Sequence, residues 1–170
     1  MAMQNRVNNK KAVFSEVTFH KISRILQELN TRLKSNCCVF ADINGYPIDY
    51  SGDVSHFNMN SLTAVAAGSF TASHEMARII SGEKHFQHIF LEGVRRNVYM
   101  CNVSSDYLMI IIFEKSVPVG LVRLLTHHAV AKLGQYLESL REGQSKISEF
   151  LDRKFKSQLE NQLNNTLGNR

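Results

Sequence analysis

The chain has 170 residues, 44% of them hydrophobic, enough for one ordinary core plus an extension and too few for a second independent core. Its formal net charge of +5 is compatible with an acidic partner, but the Lys and Arg residues are spread along the chain, and without a dense basic stripe no nucleic-acid partner is expected. The longest apolar run, Tyr107 to Phe113, falls far short of the roughly 20 residues that cross a hydrocarbon layer, so no membrane span is expected.

Met1 to Lys11 is polar and rich in Asn, without the apolar stretch of a secretory signal; residues 1–14 read as a disordered lead-in. Cys37, Cys38 and Cys101 cannot all pair, and neighbours on a strand point to opposite faces. They read as reduced, buried fillers, which with the missing signal points to the cytoplasm.

Ser15 followed by Glu16 is a helix start, the hydroxyl accepting an orphan amide and the carboxylate meeting the positive helix end. Ile22, Ile25, Leu26, Leu29 and Leu33 then share one face, predicting a first helix over Ser15 to Lys34. Cys37 to Ile43 reads as a strand, Asn44-Gly45 as a tight turn and Tyr46 to Ser51 as the returning strand. Pro47 cannot donate to a ladder, which places that second strand at a sheet edge.

After a polar loop, Leu62, Val65, Ala66, Ser69, Ser73, Met76 and Ile80 recur at helical spacing, predicting a second helix with these residues buried and an end near Gly82. Its small residues either admit another backbone closely or are simply good helix formers over a sheet. Three strands follow, His85 to Glu92, Asn97 to Val103 and Tyr107 to Glu114, as a meander. The last is apolar on both faces, so helices cover the sheet on both sides and this strand is central. Pro118 opens a third helix that buries Val122, Leu125, Ala129, Leu133, Tyr136 and Leu140, with Gly143 as its expected stop.

Beyond it, Ile147, Leu151, Phe155, Leu159, Leu163 and Leu167 recur every four residues. Each such step overshoots a turn by roughly 40°, so the stripe winds around the helix and suits a crossing partner, unless the tail is polar with chance leucines. The reading is therefore an α/β (α+β) fold: a central five-stranded antiparallel sheet covered by helices on both faces, order α-β-β-α-β-β-β-α, with a C-terminal helical extension. The expected division is a lead-in over residues 1–14, the domain over 15–142 and an amphipathic tail over 143–170.

Three segments in this order, Asp42-Ile43-Asn44-Gly45-Tyr46-Pro47-Ile48, the Ala-rich Leu62 to Phe70, and Ile111-Ile112-Phe113 leading to Pro118-Val119-Gly120-Leu121-Val122-Arg123, resemble the roadblock / dynein light chain family. The resemblance covers about Ser15 to Leu140 and is nearest to the longer bacterial motility regulators that act on Ras-like GTPases. It implies helices one and three on one face of the sheet and helix two on the other. It also implies a homodimer in which third strands pair edge to edge and second helices pack together, with Phe86, His88, Phe90, Ala66 and Phe70 at the junction. An uncovered strand such as His85 to Glu92 leaves backbone groups that such pairing satisfies.

No residues are assigned to catalysis, and no metal or cofactor is expected. His85 and His88 sit three apart on a strand and face opposite sides, and the adjacent His127 and His128 lack a cysteine or carboxylate cluster to complete a site. Neither a glycine-rich phosphate loop nor a nucleophile elbow is present. Asp42, Asp49 and Asp53 read as local turn and backbone partners, and Arg95-Arg96 as solvated loop residues rather than an inserted finger.

The outer face of the second helix, Ala64, Ala67, Thr71, His74, Glu75 and Arg78, is the candidate partner surface: small residues rimmed by charge suit a partner with bulky groups. The functional expectation is a non-enzymatic homodimer that binds a Ras-like small GTPase and stimulates GTP hydrolysis. The alternatives are a scaffold subunit of the dynein light chain type and a small-molecule sensor domain.

Overall fold

The computed structural model describes residues 14–81 and 86–167. Helix α1 (Glu16–Leu33) is capped by Ser15, whose Oγ accepts from Thr18 N at 3.3 Å, and ends at Lys34, in the left-handed region, whose N–H donates to Asn30 O. Strands β1 (Cys37–Asp42) and β2 (Pro47–Gly52) form the first hairpin, and helix α2 (Met59–Ser81) follows. Strands β3 (His88–Glu92), β4 (Arg96–Ser104) and β5 (Tyr107–Glu114) form the meander that leads to helix α3 (Val119–Leu167).

The five strands are antiparallel in the order β2-β1-β5-β4-β3. Pro47 thus sits in an edge strand and β5 lies at the centre, as their composition requires. The pleat sends alternate side chains to opposite faces. Cys37, Val39, Met100, Leu108, Ile110 and Ile112 form one core layer with Ala66, Ala67 and Phe70 of α2. The alternate set, Cys38, Phe40, Tyr99, Met109, Ile111 and Phe113, is buried on the other face, where α1 contributes Ile22, Leu26, Leu29 and Leu33 and α3 contributes Val122, Leu125, Ala129 and Leu133.

Turn chemistry fixes the first hairpin. Asp42 Oδ1 accepts from Asn44 N at 3.0 Å and Tyr46 N at 2.8 Å, the local use of Asp that a turn favours. Gly45 has φ 87°, and a Cβ there would stand 2.6 Å from Ala64 Cα. Glycine therefore supplies both the turn angle and the space for α2 to approach. Thr63 Oγ1 closes the junction by donating to Gly45 O at 2.6 Å. Asp49 is buried and accepts a hydrogen bond from the Ser23 hydroxyl of α1, and Asp53 Oδ1 accepts from Ser55 N at 2.9 Å.

Two boundaries differ from expectation. Gly143 does not end α3, which continues to Leu167. A mid-helix Gly costs only about 1 kcal/mol against Ala, and the strong helix formers around it outweigh that. Strand pairing in β3 begins at His88, while the expected start at His85, the helix stop at Gly82 and the lead-in up to Val13 fall outside the described residues. The chain divides into two compact units, Met1–Leu133 and Gly134–Arg170; within the second, α3 runs as far as Leu167, and the side chains that carry its winding stripe lie outside the described ones. Among the described residues, no helix is long and apolar enough to cross a membrane.

Candidate functional site

Helix α2 presents three faces, each residue turning roughly 100° from the last. Thr63, Ala66, Ala67, Phe70, Ser73 and Ala77 are buried and form the face against the sheet. A second face carries Val65, Met76, Ile79 and Ile80, which are 69%, 53%, 74% and 69% exposed. The third carries Ala64, Thr71, Glu75 and Arg78, all exposed, with Arg78 Nε donating to Glu75 Oε2 at 3.1 Å. That bond raises the guanidinium above its ordinary pKa.

This differs from the expected orientation of the helix. Val65, Met76 and Ile80, expected in the core, face outward, whereas Ala67, expected on the partner surface, is 5% exposed. Ala66 and Phe70, expected at the junction between copies, are likewise buried within their own domain. The physical reason is that α2 is apolar over more than one face, so periodicity alone could not choose the side that meets the sheet. The ring of Phe70, fully buried, and the Thr63–Gly45 bond choose it. His74 is half-buried, its ring edge-on to Phe70 at 6.1 Å.

Three hydroxyl groups of α2 bond their own backbone. Ser69 Oγ donates to Val65 O at 2.9 Å, Thr71 Oγ1 to Ala67 O at 3.1 Å and Ser73 Oγ to Phe70 O at 2.8 Å. On the Val65–Ile80 face, the Ser69 back-bond satisfies the hydroxyl beside these apolar side chains. The residues of that face are what sequence reasoning missed, and the legible signal was an apolar arc too wide for one sheet-facing stripe.

Among the described residues, strand β3 bonds to β4 alone, which leaves its other edge open. Phe86 is half-buried just before the strand; His88 stacks on Tyr99 at 5.5 Å; and Phe90 stacks on Phe113 at 6.3 Å while remaining exposed. Leu91, on the opposite face of the strand, is also exposed. Across the domain, Arg96 lies over the Phe57 ring at 5.6 Å, so only Arg95 of the arginine pair keeps the expected place in the loop.

The Roadblock/LC7 domain model matches residues 36–113, the span from β1 to the end of β5. The MglB of Myxococcus xanthus is 30% identical, with a TM-score of 0.68 over 71% of this chain and 98% of its own. The chain belongs to the Roadblock/LC7 family. A second structure, described as MglB with a tetrameric arrangement, has a TM-score of 0.70 at 19% identity over 75% of this chain and 95% of its own. An uncharacterized protein of Aquifex aeolicus is 23% identical over 146 residues, 85% of this chain and 90% of that one. In this Roadblock/LC7 chain, then, the family sheet is intact and its α2 and β3 leave an apolar face and an open edge.

Proposed function

We propose that the chain is a non-enzymatic regulator that pairs with a second copy of itself and, as a homodimer in the cytoplasm, binds a Ras-like small GTPase and stimulates its GTP hydrolysis. The observation that carries this reading is the exposed apolar face of α2, together with the open edge of β3. Clustered apolar groups in water and unpaired strand edges are both costly surfaces for a protein to leave uncovered. A two-fold contact brings the same patch of each copy together, so one association covers both features at once. The likeness to Myxococcus MglB, and the tetrameric arrangement of another MglB, support self-association here.

In that dimer the third face of α2, Ala64, Thr71, Glu75 and Arg78, is repeated on each copy as one platform rimmed by charge. The GTPase supplies nucleotide and metal; this chain supplies a surface that favours one ordering of the switch segments. It has no turnover of its own. The test is phosphate release by a Ras-like GTPase from the same genome, with and without the full chain. A rate that rises saturably with added chain supports the reading, and an unchanged rate refutes the activating role.

A further inference from the structure

A cavity of about 500 Å³ opens between the end of the sheet and the first turns of α3, on the face opposite α2. Its lining includes His88 of β3, Tyr99 of β4, and Arg123, Leu124, Thr126 and His127 of α3. This is a useful size: sites for small organic molecules occupy roughly 300 to 1,000 Å³.

The chemistry of the lining is one-sided. It combines a guanidinium with two imidazoles, and among the described lining residues there is no carboxylate. The stacked His88 and Tyr99 rings, 5.5 Å apart, make one wall flat and aromatic. Thr126 is fully buried, yet its hydroxyl has no hydrogen-bond partner among the described residues, an arrangement that folding alone does not favour.

We infer that this cavity is a binding site for a small organic anion, a carboxylate or phosphate group carried on a planar ring, with Arg123 holding the charge and the His88–Tyr99 wall packing against the ring. Guanidinium forks match the geometry of both oxyanions, and two hydrogen-bonding imidazoles beside one add donors without a competing negative charge. Burial and the nearby Arg123 hold the His88 imidazole below its ordinary pKa. The groups facing it are Arg123 and His127 from α3 and Tyr99 and Cys101 from β4. An anion seated beside Arg123 offsets that repulsion and raises the His88 pKa. The inference does not rest on GTPase binding.

The test uses the full chain with isotope-labelled histidines and follows the imidazole resonances by NMR. The probes are 4-hydroxybenzoate, phenyl phosphate and the neutral 4-hydroxybenzyl alcohol, each at about 1 mM. Expected are saturable shifts of His88 and His127 with at least one anion, an upward move of the His88 titration midpoint, and roughly tenfold weaker binding of the alcohol. The two anions distinguish a carboxylate from a phosphate head. Arg123→Gln, at an exposed position, leaves the fold intact and weakens the bound anion roughly tenfold. Failure of both anions to shift these resonances, equal binding of the alcohol, or identical titrations of the wild type and Arg123→Gln would overturn the assignment.

Discussion

Gly45 illustrates how one residue can answer to two constraints. The turn demands its φ of 87°, and the Ala64 backbone occupies the space a Cβ needs. Gly45→Ala is expected to destabilise the domain by about 2 kcal/mol or more, read as a shift in denaturant midpoint, and a loss below about 0.5 kcal/mol contradicts the account. The cysteines answer chiefly to burial. It pushes Cys37 up to about 11 and Cys38 and Cys101 up to about 12, from an ordinary 9.0. The unfolded chain ionises these thiols first, so it binds fewer protons above pH 9 and stability falls from there to about 12. Replacing Cys38 with Ala should flatten that decline in urea melts across the alkaline range, and an unchanged slope would assign it to other groups. The placement of these thiols inside was legible from residue type; the second constraint on Gly45 was not, because Ala64 is nineteen positions away in sequence and near only in space.

At the scale of elements, α1 and β5 were readable because each has one pattern with one solution. The helix offers a single stripe, Ile22, Leu26, Leu29 and Leu33, and the strand is apolar throughout. Helix α2 was not, since its apolar arc admits several rotations and the core picks the one that inserts Phe70. The outward set Val65, Met76, Ile79 and Ile80 follows from that choice. Val65→Glu with Ile80→Glu is therefore expected to leave monomer stability within about 0.5 kcal/mol, as surface changes do, while shifting the chain to monomer in light scattering. A doubly substituted chain that still self-associates would place the contact elsewhere.

For the whole molecule, the sheet order puts β2 and β3 at the edges and leaves the meander end open. A chain ended after Glu142 is expected to keep a single cooperative thermal transition, because the core residues of both layers lie at or before Leu137; loss of that transition would move the boundary outward. The sequence by itself determined the elements, their order, the central place of β5 and the edge place of β2, because these depend on periodicity, proline and turn chemistry, which act over a few residues. Only the tertiary structure decided which side of α2 is outermost, that Ala66, Ala67 and Phe70 are buried within their own domain, and that His88, Tyr99, Arg123 and Thr126 share one cavity. Those outcomes depend on contacts between distant segments, where the volume of one ring or the direction of one hydroxyl selects among arrangements that local pattern leaves equivalent.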